Sequence, residues 1–403
     1  ITSYFLFIFV ARKFGAKVSG VFFLALSIIT FLSVVGRFGL DNLLLKKISI
    51  FFVSNDNVKT IHLISKILLL VLFLDMILIF SLFYLLDLFL NKKEIINSLK
   101  IMLPIIMFYN LNFMIAIYHQ ATKKIFLSII IINFLSNFIA LLFILFKDFN
   151  NISDFIIYFT ISNFLALIIA LIILSITKSS EIIIFKKLSF SLLKDSFSYY
   201  SYIVMTQLNL WIGTFIIGYY ETSQNVAYFS SAQRSSMIII LILASINTIT
   251  ASKFANLIHL KSKKILSEYI YIATRSSVLI SLPIILIFLL FPEFVLSFFG
   301  EDFTSGSNVL QIFAIGQLFN VFTGPVGNIL SMSPHVNYLK KITIFTLFFS
   351  GIITILLVKS YGIIGGAIGF SVGIIVQNLL LAYIVHKKLK INVYSSFFKK
   401  IKN

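Results

Sequence analysis

Lys66-Ile67-Leu68-Leu69-Leu70-Val71-Leu72-Phe73-Leu74-Asp75-Met76-Ile77-Leu78-Ile79-Phe80-Ser81-Leu82-Phe83-Tyr84-Leu85-Leu86 is apolar almost throughout, with Asp75 its single charge after the opening lysine. An α-helix rises about 1.5 Å per residue, and about 20 apolar residues cross the hydrocarbon core of a bilayer. The stretch therefore predicts a transmembrane helix. Outward from it the same pattern recurs in both directions. Apolar runs bounded by charged or turn residues predict a partial first helix ending at Ala11. They predict further helices over 20–45, 66–86, 95–118, 125–146, 155–176, 197–219, 226–249, 273–299, 308–330, 342–358 and 362–385. The expected fold is an all-α polytopic membrane protein of about twelve transmembrane helices in two six-helix bundles, the first helix truncated. The run before Ala11 is too short to span, and no cleavage site follows it, so it does not read as a signal peptide.

Composition agrees. The chain is 59% hydrophobic and 12% charged, where a soluble domain carries about 45–50% apolar and roughly 25% charged residues. That leaves too little polar side chain to cover a water-soluble body. The net charge of +19 would suggest nucleic acid in a soluble protein. Here the basic residues sit in short connections between apolar runs. Their expected partners are anionic membrane lipids, and no nucleic acid. The absence of Cys excludes disulfides and thiolate metal sites. No HExxH and no GxxxxGK[ST] occurs, so neither a zinc-hydrolase motif nor a Walker-type phosphate loop is present. The expectation is a protein that is not an enzyme and carries no cofactor or metal.

Charge in the connections orients the chain. Most Lys and Arg fall in the connections after even-numbered helices and in the C-terminal tail, as with Lys46, Lys47, Lys59, Lys123 and Lys124. The odd connections hold few. The positive-inside rule therefore places the even connections and both termini in the cytoplasm. Arg12, Lys13 and Lys17 run against the pattern. A functional anion or simple snorkelling accounts for such charges, and snorkelling suits Lys13 and Lys17.

The longest polar stretch lies between helices six and seven and divides the chain into a bundle over 1–177, a cytoplasmic linker over 178–196, a bundle over 197–386 and a basic cytoplasmic tail over 387–403. A weak internal repeat supports the division. Val18-Ser19-Gly20-Val21-Phe22-Phe23-Leu24-Ala25 resembles Asn225-Val226-Ala227-Tyr228-Phe229-Ser230-Ser231-Ala232. Two halves in the same orientation imply a parallel repeat, and transporters often place the substrate path between such halves. Gly324-Pro325-Val326-Gly327 predicts a break or bend in the tenth helix. The glycines from Gly362 to Gly373 predict close helix packing in the twelfth.

Charge inside hydrocarbon costs about 2.5–3.5 kcal/mol at a helix centre, so intramembrane charges are informative. Arg234 lies near the middle of the eighth helix, where it lines a cavity or pairs structurally. Arg37 and Asp41 are one turn apart and pair on one face, for structure or along a path. Asp75 either exchanges a proton during a cycle or hydrogen-bonds as a packing residue. His119 reads as interfacial. Amides at Gln207, Asn209, Gln311, Gln317, Asn320 and Asn328 hold helices together or bind sugar hydroxyls.

Several segments resemble bacterial polysaccharide-unit flippases of the Wzx type, within the multidrug/oligosaccharidyl-lipid/polysaccharide exporter superfamily. They are Ala11-Arg12-Lys13-Phe14-Gly15 with Ser19-Gly20-Val21-Phe22, then Val35-Gly36-Arg37-Phe38-Gly39-Leu40-Asp41-Asn42, Gly316-Gln317-Leu318-Phe319-Asn320-Val321-Phe322-Thr323-Gly324-Pro325, and Tyr361-Gly362-Ile363-Ile364-Gly365-Gly366-Ala367. The resemblance implies two six-helix bundles around a cationic cavity. It also implies alternating access that carries an undecaprenyl-diphosphate-linked oligosaccharide across a bacterial inner membrane for O-antigen, capsule or exopolysaccharide assembly. A polysaccharide polymerase and a chain-length regulator are the further partners it implies. Arg12, Arg37 and Arg234 look like counterparts of the substrate-binding arginines of related lipid II flippases. Membrane potential, protons or sodium would reset the cycle, with Asp75 and Asp41 the candidate coupling residues. Two alternatives stand beside this reading: a multidrug or organic-cation exporter, expected to have an acidic cavity, and a membrane-embedded polysaccharide polymerase, expected to have a long periplasmic loop.

Overall fold

The structure, a computed structural model, describes residues 2–54, 56–89, 92–177, 191–260 and 262–391. Residues 178–190 of the expected linker, residues 392–403 of the basic tail and Lys261 lie outside them. Every regular element among the described residues is helical, and nine helices are long and apolar enough to cross a membrane. Gly15 and Gly362 each divide one of the nine, and the uncharged helix Ser307–Thr323 adds another apolar segment. The chain is an all-α, multi-pass membrane protein with the 12-helix pattern expected from hydropathy.

Two compact units divide it, Ile1–Leu208 and Asn209–Asn403. The first holds α1 (Thr2–Arg37), α2 (Leu40–Val53), α3 (Asn57–Phe89), α4 (Lys93–Ala121), α5 (Ile125–Ile129), α6 (Ser136–Phe146) and α7 (Ile152–Thr177), with the start of α8 (Ser191–Tyr220). A π-helical turn, Ile130–Leu135, joins α5 to α6 within the expected fifth helix. Gly15, at φ 71, separates the first helix from the second inside α1.

The second helix differs from expectation. Instead of running on to Leu45, it breaks at Phe38 (φ 49) and Gly39 (φ 72), and α2 begins at Leu40. The cause is packing within the unit. Phe38 stacks on Tyr200 with ring centroids 4.2 Å apart, and a Cβ on Gly39 would lie 2.6 Å from the Tyr200 backbone nitrogen. Only glycine admits that approach, and it also takes positive φ without strain.

Inside lipid no hydrophobic force draws helices together, so tight packing must do it. Leu40, Leu44 and Ile48 of α2, Ile64, Ile67 and Val71 of α3, and Met114 and Ile115 of α4 form one fully buried layer. Phe22 stands edge-on to Phe155 and Phe159 at 5.6 and 5.5 Å. Each such ring pair contributes about 0.5–1.5 kcal/mol.

The second unit holds the rest of α8, α9 (Ser223–His259), α10 (Lys263–Leu290), α11 (Pro292–Ser297), α12 (Ser307–Thr323), α13 (Val326–Ser331) and α14 (Val336–Leu389). The helix expected over 273–299 begins earlier and resolves into α10 and α11, with Pro292 opening the latter. Gly324, at φ 69, and Pro325 separate α12 from α13 at the expected break. The two halves of the weak repeat share an environment: residues 19–25 and 226–232 are all buried, each within its own unit.

Polar side chains tie this unit's helices. Gln311 donates to the Leu289 carbonyl at 2.8 Å and Asn328 to the Asn247 carbonyl at 2.9 Å. Gln233 donates to the Leu210 carbonyl at 3.0 Å and accepts from Thr214 at 2.8 Å. Gly369 lets the two halves of α14 touch, since a Cβ there would lie 2.7 Å from the Thr354 Cα. By contrast, a Cβ on Gly327 would meet only Leu381, at 4.0 Å. Gly369→Ala should therefore lower the thermal midpoint in detergent, at an overpacking cost of roughly 1–3 kcal/mol, while Gly327→Ala should not. Equal midpoints for the two variants would contradict this packing.

Candidate functional site

The first unit gathers three of the predicted site residues, and a fourth residue that the sequence reading missed links two of them. Arg37, the last residue of α1, is 6% exposed; Asp41, in the first turn of α2, is 9% exposed; Asp75 of α3 and Asn110 of α4 are fully buried. Arg37 Nη1 donates to Asn110 Oδ1 at 3.2 Å, and Asn110 Nδ2 donates to Asp75 Oδ1 at 2.8 Å. Arg37 Nε lies 3.8 Å from Asp41 Oδ2. Arg37 and Asp41 thus pair as the i,i+4 spacing suggests, although the chain between them is broken rather than helical.

Aromatic rings complete the cage. The Arg37 guanidinium sits 4.1 Å from the Phe113 ring centroid and 5.8 Å from that of Tyr109. Tyr109 and Phe113 are one turn apart on α4 and flank Asn110. A guanidinium over an aromatic face gains about 0.5–2 kcal/mol, the upper end when desolvated. Gly36 closes the arrangement, because a Cβ there would collide with Asp75 Oδ1. Asp75 Oδ2 and Arg37 Nε are buried without a hydrogen-bond partner. One guanidinium faces two carboxyl groups, so the cluster is neutral only if one carboxyl holds a proton. The signal for Asn110 in the sequence was an amide inside an apolar helix, but nothing local connected it with Arg37 or Asp75.

Arg12 stands apart from this cluster. It is exposed, in the segment of α1 before Gly15. Its neighbour Lys13 does not simply snorkel. Lys13 Nζ donates to the Lys147 carbonyl at 2.8 Å and to the Ile144 carbonyl at 3.4 Å, lies 3.6 Å from Asp148 Oδ1, and sits over the Phe149 ring at 5.2 Å. It caps the C-terminus of α6, where free carbonyls and the helix dipole favour a cation. His119 also departs from expectation. It is fully buried, and neither ring nitrogen has a hydrogen-bond partner.

Arg234 belongs to the second unit, well inside α9; part of its side chain is exposed, but Nε and Nη2 are buried, and its guanidinium carbon is 5.7 Å from the Trp211 ring centroid. Ser230, Ser231, Gln233, Ser235 and Ser236 around it are buried. Further along α8, Asn209 Nδ2 donates to Thr346 Oγ1 at 3.3 Å and Gln377 Oε1 at 3.4 Å. Among the described residues no group of three His, Asp or Glu is placed to hold a metal ion. The chemistry on offer is anion recognition by guanidinium groups and proton exchange at a buried carboxyl.

Comparison with known proteins places this architecture. The polysaccharide biosynthesis protein family matches residues 1–252, and the MatE family matches residues 198–358. A curated relative, "Probable low-salt glycan biosynthesis flippase Agl15" of Haloferax volcanii, is 23% identical over 203 residues, 49% of this chain and 43% of that protein. The match thus spans less than half the length of that relative. Among solved structures, an inward-facing multidrug resistance MATE family transporter of the MOP superfamily superposes with a TM-score of 0.79 at 14% identity, covering 97% of this chain and 95% of that one. The lipid II flippase MurJ, in an inward closed conformation, superposes with a TM-score of 0.78 at 16% identity, covering 98% and 87%. These likenesses establish the fold. By the family match across more than half its length, the chain belongs to the polysaccharide biosynthesis protein family.

Proposed function

We propose that the chain is a flippase that carries undecaprenyl-diphosphate-linked oligosaccharide repeat units from the cytoplasmic to the periplasmic leaflet of a bacterial inner membrane. The observation that carries this reading is Arg234, an arginine inside α9 whose Nε and Nη2 are buried beside Trp211. Such a charge is expensive in hydrocarbon and is retained where it meets water, a partner or an anionic ligand. A diphosphate cannot cross hydrocarbon unaided, and the planar fork of arginine matches its oxygens bidentately. Family membership and the likeness to a lipid II flippase and a glycan biosynthesis flippase support the same substrate class.

Transport proceeds by alternating access between two six-helix halves, residues 1–177 and 197–386, with no catalytic step. Arg12, Arg37 and Arg234 take the diphosphate at successive stages. In the resting cluster Arg37 is engaged by Asn110 and by Asp41. A proton taken up by Asp75 Oδ2 from water removes one of the two negative charges facing Arg37, which favours a phosphate taking the place of Asp41 and Asn110 at its guanidinium. Loss of that proton restores the cluster and resets the cycle.

A multidrug exporter is the second reading, favoured by the MatE match over residues 198–358. An organic cation calls for acidic side chains along its path, and the intramembrane charge at Arg234 has the opposite sign.

Complementation of a flippase-deficient strain, with the cognate repeat unit supplied and membrane levels matched, separates the two. Wild type should restore surface polysaccharide and Arg234→Ala should not. Arg234→Lys should restore it partly, because lysine keeps the charge without the bidentate fork. Full restoration by Arg234→Ala would remove that residue from the site, and failure of wild type alongside acquired drug resistance would favour the exporter. In Asp75→Asn, transport should cease to respond to an imposed proton gradient. An unchanged response would remove Asp75 from coupling.

A further inference from the structure

One face of α3 carries features that the transport path does not use. Lys59, His62 and Lys66 lie three and then four residues apart, so they form one stripe along the helix. Opposite them, Lys47 and Phe51 stand one turn apart on α2. Together with Leu63 these residues line an open groove of about 310 Å³. His62 Nδ1 is buried with no hydrogen-bond partner, and Lys66 is in no ion pair among the described residues. The groove lies at the end of α3 that the positive-inside rule makes cytoplasmic.

Further along the same face the character changes. Phe73, Met76, Ile77, Phe80 and Phe83 of α3, with Pro104 of α4, line an apolar groove of about 780 Å³. Met76, Ile77, Phe80 and Phe83 are all strongly exposed. At 1.5 Å per residue the apolar groove begins roughly 10 Å beyond Lys66 along the helix. One leaflet of hydrocarbon is about 15 Å deep, so a lipid tail starting at Lys66 reaches it.

Charge selects the occupant. Lys47 pairs with Asp195 at 2.8 Å and Lys59 with Asp56 at 2.7 Å. Hydrogen bonds from these lysines hold both carboxyls below the usual carboxylate range. Both are therefore ionised and offset two of the three lysines. The charge left over is that of Lys66, with His62 beside it, which suits one phosphodiester better than a diphosphate.

We infer that this face of α3 binds an anionic phospholipid of the cytoplasmic leaflet, its phosphodiester in the Lys47–Lys59–His62–Lys66 groove and an acyl chain along Phe73–Phe83. The inference stands independently of the transported substrate. Lys66 anchors the phosphate. Lys47 ties α2 to Asp195 at the start of α8, so a phosphate in the groove competes with Asp195 for it.

Native mass spectrometry of the detergent-extracted full chain, exposed to equimolar phosphatidylglycerol and phosphatidylcholine, tests this without any transport assay. Wild type should retain phosphatidylglycerol preferentially. Lys59→Ala/Lys66→Ala should lower that retention by about fivefold per lysine removed. Lys263→Ala/Lys264→Ala, which removes equal charge from another connection, should leave it unchanged. If the first double variant does not fold, Lys66→Gln alone should still lower retention about fivefold. Equal retention of the two lipids by wild type would overturn the inference, as would equal losses in both double variants. Displacement of phosphatidylglycerol by undecaprenyl diphosphate at equal concentration would overturn it in favour of the lipid-linked anion.

Discussion

Asn110 donates to one oxygen of Asp75 and accepts from Arg37, and the polar interior of the first unit depends on that double role. In hydrocarbon there is no water to satisfy a charged side chain, so each ionisable group must find its partner within the protein. The amide alone provides both a donor and an acceptor at this position. The break at Phe38 and Gly39 directs the chain from α1 into α2 and still leaves Arg37 and Asp41 within 3.8 Å. Gly36 lacks the Cβ that would push Asp75 away. Phe113 and Tyr109 shield the guanidinium. The local geometry of four helices thus converges on one buried ion cluster, whose balance of one cation against two carboxyls makes it sensitive to a single proton.

Much of the fold is legible in the sequence because the bilayer imposes a length and a polarity that hydropathy reports directly. The run from Lys66 to Leu86 and the boundary between the helices expected over 342–358 and 362–385 are of this kind, while the break at Gly324 is legible in its Gly-Pro pair instead. What hydropathy cannot see is helix that continues beyond the hydrocarbon. For that reason α3 begins at Asn57, well ahead of Lys66, and α9 continues to His259, well past Ile249. Nor does it report a backbone angle. Phe38 lies in apolar sequence, yet takes a positive φ where its ring stacks on Tyr200.

The site divides along the same line. Arg37 and Asp41 could be paired because their spacing is local. The link from Arg37 to Asp75 runs through a residue 73 positions away and has no local signature. Lys13 has no local signature of its cap for the same reason, since the carbonyl it binds lies 134 positions away. His119 was placed at the interface by its position near a helix end, whereas packing buries it completely.

The two units carry different chemistry. The first has a charge cluster that is neutral only with one proton bound, together with a basic and then apolar face on α3. The second has a partly exposed arginine bordered by serines and an indole ring. In the proposed function, movement of a phosphate-bearing lipid with a polar sugar load would draw on both kinds of site, a cation to receive the phosphates and a titratable group to reset the cycle. The most direct test is reconstitution of the purified chain into liposomes loaded with undecaprenyl-diphosphate-linked oligosaccharide, with the sugar's accessibility to an external glycosidase followed in time. The account predicts that protein-containing vesicles expose the whole pool of sugar, while protein-free vesicles expose only the outer-leaflet fraction. Identical plateaus with and without the protein would contradict it.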